Sequence, residues 1–287
     1  MSREIRERLA RYGIRAKKGL GQNFLVDKQY VQKIIDAAQL QAGSVVVEIG
    51  PGPATLTPYL AQEVGSSGKV IAIEVDEALR ELLTDFASEF PQVKIHWQDA
   101  LQVDYDQLTE PYLPPGGSFV LVANLPYYIT TPIIMHLLES KFSYSHLVVM
   151  VQKEVAQRIV SPPGNKNYGA LSVAVQFHCH VDLVTTVPPG AFVPAPKVSS
   201  AVVRLERRKV PPVSLLDERY FFQTVRAAFN QRRKTLLNAL SSLDTKLTKA
   251  ELASLLANKN IDPTRRGETL SLDEFAIVAN ALTEVKK

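Results

Sequence analysis

One cysteine, one tryptophan and three methionines in 287 residues leave several kinds of chemistry without material. Cys179 has no partner for an internal disulfide, and its mostly apolar segment predicts a buried bystander rather than a nucleophile. That points to a reducing, cytoplasmic setting. The five histidines are scattered, and His178-x-His180 beside one cysteine is too little for a metal centre, so no metal is expected. No apolar run approaches the ~18 residues of a membrane helix, and no membrane partner is expected. The start, Met-Ser-Arg-Glu-Ile-Arg-Glu-Arg, has no apolar stretch for secretion and is too acidic for a transit peptide. The chain shows no internal repeat and no low-complexity tract.

The length allows one large domain or two modest ones, and an apolar fraction of 46% supplies a substantial core. The net charge of +4 is modest but uneven. The first 18 residues carry seven cations (Arg3, Arg6, Arg8, Arg11, Arg15, Lys17, Lys18) against two glutamates. Residues 204–234 carry nine, including Arg207-Arg208-Lys209 and Arg232-Arg233-Lys234, against three acids. Such clusters on an otherwise balanced chain are the electrostatic footprint of a polyanion, although basic runs are also commonly plain surface.

Ser44 to Ile49 is a short β-branched run that ends in Gly50-Pro51-Gly52-Pro53-Ala54-Thr55, after which helical spacing resumes from Leu56. Strand, glycine turn and helix bring backbone N–H groups up to a ligand. The loop lacks the third glycine of a dinucleotide fingerprint and the Gly-Lys-Ser/Thr ending of a phosphate loop, which favours a smaller nucleoside ligand. Glu74 ends the next strand, Val70 to Val75, about twenty residues on, where an acid accepts ribose hydroxyls. Asp99 follows a third strand, Val93 to Trp97, and suits an adenine amine. Asp76 reads as a cap for a helix from Glu77 to Phe90.

Asn124-Leu125-Pro126-Tyr127 follows the buried-strand run Phe119 to Ala123. An amide, a proline-fixed carbonyl and an aromatic face at a strand's carboxyl end suit an exocyclic amine on a flat base. The Asn124 side-chain oxygen and the Pro126 carbonyl are expected to accept its two N–H bonds. Tyr127 is the expected stacking platform and Phe192 the candidate for the opposite face. The same residues also read as a turn signal with ordinary aromatic packing.

Taken together these segments resemble the class I S-adenosylmethionine-dependent methyltransferases. More narrowly the chain resembles the ribosomal RNA adenine dimethylases, through Lys18-Gly-Leu-Gly-Gln-Asn-Phe-Leu25, Asn124-Leu-Pro-Tyr127 and Phe192-Val-Pro-Ala-Pro-Lys-Val198. Within that family it looks most like the enzymes of the small subunit. The resemblance implies an α/β, Rossmann-like domain and S-adenosylmethionine as cofactor. It implies that Asn23 and Leu25 close over the methionine end, Gly50 approaches through backbone, Glu74 holds the ribose, Asp99 holds the adenine, and Asn124 lies between cofactor and target. The implied reaction is dimethylation at N6 of two adjacent adenosines in 16S rRNA of the small ribosomal subunit; nothing in the sequence demands more than a monomer. A large-subunit rRNA methylase, a non-catalytic ribosome assembly factor and, more remotely, a DNA adenine methylase are the competing readings. Ala54 stands where family members usually have glycine, and a local shift of the loop is expected there.

Strand–helix alternation runs to Val198–Leu205, and Arg207 to Pro212 reads as a linker. Helical spacing follows over 219–229, 235–243, 249–257 and 273–282, with capping-box spacing at Ser271-Leu272-Asp273-Glu274. The expected domains are 1–212, the methyltransferase part with a basic N-terminal extension, and 213–287, a small all-helical RNA-binding part.

Overall fold

The computed structural model describes residues 2–243 and 246–286, without the side chains of Ser2, Lys18 and Lys286. Met1, Asp244, Thr245 and Lys287, which the expected domains include, lie outside the described residues, as does the Lys18 side chain of the basic stretch.

Nine strands are present among the described residues: β1 Phe24–Leu25, β2 Val45–Ile49, β3 Lys69–Glu74, β4 Val93–Trp97, β5 Phe119–Asn124, β6 Tyr144–Gln152, β7 Cys179–Val187, β8 Phe192–Val193 and β9 Ser200–Arg207. Seven form one sheet in the order β4-β3-β2-β5-β6-β9-β7. Strands β4, β3, β2, β5 and β6 are mutually parallel and β9 runs antiparallel to β6. The runs Val45-Val-Val and Val120-Leu-Val are fully apolar because a parallel sheet is covered on both faces. From β2 the chain winds outward to β3 and β4, then returns to β5 on the other side. The β2/β5 boundary is therefore the point where strand order reverses, and ligands of open α/β sheets bind outside the carboxyl ends there.

The chain divides into two compact units, one of residues 1–156 and 181–207, the other of 157–180 and 208–287. The helical unit thus takes in residues 157–180, which the expected boundary near 212 leaves with the sheet. The physical reason is its core: Tyr168, Val173 and Phe177 are buried with Phe221, Leu236, Leu252, Leu256 and Phe275. Each such side chain contributes about 1.5–3 kcal/mol on burial. The Tyr168 hydroxyl donates to the Leu270 carbonyl at 3.0 Å, fastening the 157–180 segment to this unit. The expected Ser271 capping box forms: Glu274 N–H donates to Ser271 Oγ at 3.2 Å and Ser271 N–H to Glu274 Oε2 at 2.9 Å.

Local chemistry sets the remaining boundaries. The stretch expected as one helix from Glu77 splits into a 3₁₀ turn, Glu77–Leu79, and an α-helix, Arg80–Glu89, with Asp76 capping the turn through Ala78 N–H at 3.0 Å. The two-residue ribbon β1–β8 pairs Phe24 with Val193 and Leu25 with Phe192. Near the N-terminus, the helix Ser2–Arg11 buries Ile5 and Leu9 against Phe24, Ala54, Leu79 and Leu82.

Candidate active site

A cleft of about 770 Å³, including the solvent at its mouth, opens at the carboxyl ends of β2 to β5. It gathers Asn23, Gly50, Glu74, Asp99, Asn124, Pro126 and Tyr127. Sheet order fixes how they are spread: Asp99 after β4, Glu74 on β3, Gly50 after β2, and Asn124 on β5. The two acids therefore lie toward one side of the cleft and the Asn-Leu-Pro-Tyr turn toward the other.

The glycine loop is shaped by close packing. Gly50 and Gly52 have φ of 70° and 55°, and a Cβ on Gly52 would stand 3.0 Å from the Phe24 ring. Ala54 also sits in the left-handed region, at φ 57°, and is buried. The backbone at Ala54 thus does not move out of the left-handed region. Ala54 keeps a conformation that costs an L-residue about 1 kcal/mol, and its methyl packs in the cluster of Ile5, Leu9 and Phe24. Arg8 reinforces the loop by donating to the Pro53 carbonyl at 2.8 Å.

Glu74 is buried and accepts three backbone N–H groups, from Val75 (2.9 Å), Asp76 (2.8 Å) and Gly52 (3.3 Å). Burial pushes its carboxyl above the usual range, while these hydrogen bonds oppose the rise. It therefore ties the glycine loop to the end of β3 while lining the cleft. Asp99 accepts Leu101 N–H at 2.9 Å. Asn23 donates to the Gly21 carbonyl at 3.0 Å, and Asn124 Nδ2 donates to the Asn23 carbonyl at 3.0 Å. That bond fixes the Asn124 amide and leaves its Oδ1 to act as the acceptor. The Tyr127 hydroxyl is bonded to Ser200 Oγ at 2.7 Å, and burial raises its pKa.

Three expected site residues have other surroundings. The Pro126 carbonyl already accepts from Ile129 N–H (3.2 Å) and Thr130 Oγ1 (3.0 Å). With both lone-pair directions engaged it is not available to a substrate amine, which corrects the expected role. Leu25 and Phe192 do not line the cleft: both are buried, paired across the β1–β8 ribbon and packed in the sheet core. Leu25 instead borders a smaller adjoining space of about 260 Å³ with Glu48, Thr55, Gly50 and Asn124. Gly50 and Asn124 border both spaces.

That inner space exposes a residue that sequence reasoning passed over. Glu48 is 1% exposed, its Oε2 and the Thr55 Oγ1 find no hydrogen-bond partner among the described residues, and burial pushes its carboxyl up to about 8. The signal was an acid inside an apolar strand, Val45-Val-Val-Glu-Ile49. Gln98, Tyr128, Leu20, Gln22 and Val75 also line the cleft without having been singled out, and Tyr128 is 57% exposed. Nothing in the apolar periodicity marks side chains on loops.

These features fit a nucleoside with a charged amino-acid tail: acids for a ribose and an amine, a glycine turn, and a buried carboxyl with one unpartnered oxygen for an ammonium. The sheet order and strand directions are those of the class I S-adenosylmethionine-dependent methyltransferases. The solved dimethyladenosine transferase of Plasmodium falciparum shares the fold at a TM-score of 0.73 and 24% identity, covering 89% of this chain and 95% of that one. The 23S rRNA methyltransferase ErmE shares it at 0.67 and 24%, covering 91% and 100%. The chain belongs to the ribosomal RNA adenine dimethylase family, whose profile matches residues 13–280. It is 46% identical over 282 residues, 98% of this chain and 96% of the relative, to the ribosomal RNA small subunit methyltransferase A of Geobacillus sp. strain WCH70. S-adenosylmethionine is accordingly the methyl donor. Among the described residues no cluster of His, Cys, Asp and Glu could hold a metal, and no helix is long and apolar enough to cross a membrane.

Proposed function

We propose that this protein methylates N6 of two adjacent adenosines in a loop near the 3′ end of 16S rRNA, within the small ribosomal subunit and in the cytoplasm. The observation that carries the reading is the Asn124 amide, fixed by the Asn23 carbonyl at 3.0 Å on the β5 side of a nucleoside cleft. A 23S rRNA methyltransferase shares the fold, so the fold by itself does not choose the ribosomal subunit. The full-length identity to a small-subunit enzyme favours the 16S target.

An adenine amine is a weak nucleophile because its lone pair is delocalised into the ring. The cofactor supplies an electrophilic methyl group on sulfur. Asn124 Oδ1 accepts one N–H of the amine. The Leu125 carbonyl, which receives no hydrogen bond from the described residues, accepts the other. Two acceptors favour a tetrahedral nitrogen and stabilise the charge that develops on it. Tyr127, held by Ser200, offers its ring as the stacking platform for a base that has left its stack. Stacking by Phe192 would need the β1–β8 ribbon to open, so Tyr128 at the cleft mouth is the better placed second ring. Glu74 and Asp99 hold the cofactor's ribose and adenine, Gly50 meets it through backbone, and Asn23, Leu25 and Glu48 enclose its methionine end.

Asn124→Ala and Tyr127→Ala are expected to lower methyl transfer at least ~10-fold, with cofactor binding measured by calorimetry largely retained. Near-normal turnover in both variants would remove the assignment of this turn to the target amine.

A further inference from the structure

Five consecutive residues that line the cleft, Leu20 to Phe24, belong to one strap rather than to the sheet. One end of the strap is fixed at the acceptor side, where Asn23 takes the Asn124 amide bond and Phe24–Leu25 pairs with Phe192–Val193. Gly21 packs beside the Tyr128 ring and the Pro126 ring of the same turn. The other end converges on Asp76. Its Oδ1 accepts the Lys17 ammonium at 2.6 Å and Ala78 N–H at 3.0 Å, and its Oδ2 accepts Gln22 Nε2 at 2.7 Å. Gln22 closes the circuit by accepting Lys17 N–H on its Oε1 at 2.8 Å. The Asp76 side chain is only 1% exposed, whereas that of Lys17 is 50% exposed.

A helix cap needs one acceptor bond, and Ala78 supplies it. The remaining bonds all reach 54 to 59 residues back along the chain, to a segment that roofs the cleft. Asp76 also gives its own N–H to Glu74, the acid that lines the cleft from β3. One turn after β3 therefore holds both Glu74 and the strap, which line the same cleft.

We propose that Asp76 is a positioning residue: with Lys17 and Gln22 it latches the 17–24 strap over the bound cofactor. The latch acts on the cofactor through the strap and rests on the cofactor reading alone, so it does not depend on which RNA is the target. Its charge-assisted bonds join a buried carboxylate to a half-exposed lysine, so Lys17 can be altered without opening the core.

The test compares wild type with Lys17→Met, Lys17→Arg, Asp76→Asn and the Lys17→Met/Asp76→Asn double variant. S-adenosylhomocysteine affinity is measured by calorimetry, and strap exposure by the rate of tryptic cleavage after Arg15. Lys17→Met and Asp76→Asn are each expected to weaken binding about fivefold to tenfold, the scale of one ordinary net hydrogen bond. The double variant is expected to bind no more weakly than Asp76→Asn, because both changes remove the same pair. Lys17→Arg is expected to retain affinity, and the ligand is expected to slow cleavage at Arg15 in wild type but much less in Lys17→Met. In turnover, Lys17→Met is expected to raise KM for the methyl donor while kcat stays within about twofold. Unchanged affinity in Lys17→Met would overturn the latch, even if Asp76→Asn proves too unstable to measure. So would losses that simply add in the double variant, or cleavage at Arg15 that the ligand does not slow.

Discussion

At the reacting end of the cleft, individual atoms are already committed. Asn124 spends its N–H donor on Asn23, and the Pro126 carbonyl spends its lone pairs on Ile129 and Thr130. The Asn124 amide oxygen and the Leu125 carbonyl keep their acceptor capacity, a division that spacing along the chain could not reveal. Residue types did place Glu74, Asp99, Gly50 and Asn124 on one cleft, because each ends or follows a strand that is itself legible. Leu25 and Phe192 were less legible: their burial depends on pairing between two segments far apart in the chain. Glu48 adds a pH dependence. Its carboxyl is raised to about 8 in the folded protein, above the ordinary value of 4.5, so the folded state holds this proton more tightly than the unfolded chain. The resulting stabilisation is fully present below about pH 4.5 and is lost as pH rises to about 8, by at most about 1.4 kcal/mol per unit. Glu48→Gln, which cannot ionise, should therefore gain stability relative to wild type across that window. Denaturant titrations at several pH values measure this, and a constant difference between the two proteins would contradict it.

At the scale of elements, the sheet was largely readable and the short connections were not. The strand expected over Val93–Trp97 has those ends in the structure, whereas the stretch expected as a helix over Glu77–Phe90 begins with a 3₁₀ turn. The ribbon β1–β8 is two residues long on each side, too short for any period to show. Caps, by contrast, are local chemistry, and the Ser271–Glu274 box follows from four letters of sequence. Ser271→Ala removes the acceptor for Glu274 N–H at the start of the helix Leu272–Lys286. The expected cost is about 1 kcal/mol in urea unfolding. A midpoint unchanged from wild type would show that the box contributes nothing.

For the whole molecule, the division into units and the charge pattern bear on RNA binding. Counting cations overstated the RNA footprint, because several are used internally. Arg232 donates to the Lys166 and Tyr168 carbonyls at 2.9 Å and pairs with Glu268 at 3.2 Å. Arg208 donates to the Gln176 carbonyl at 3.0 Å, and Lys17 serves Asp76. Arg233 and Lys234 are exposed and are the better probes. Replacing both with glutamine is expected to lower the salt dependence of RNA binding by up to about two counterions, at roughly 0.7–0.9 for each phosphate left without its cation. An unchanged slope in filter binding would place the RNA elsewhere.

The central claim is the reaction on small-subunit RNA, and nucleoside mass spectrometry tests it most directly. Unmethylated small ribosomal subunits would be incubated with the protein and S-adenosylmethionine, beside large-subunit RNA as a control. The account predicts N6,N6-dimethyladenosine in the 16S rRNA and none in the large-subunit RNA. Product in the large-subunit RNA alone, or cofactor binding with no dimethyladenosine in either, would contradict it.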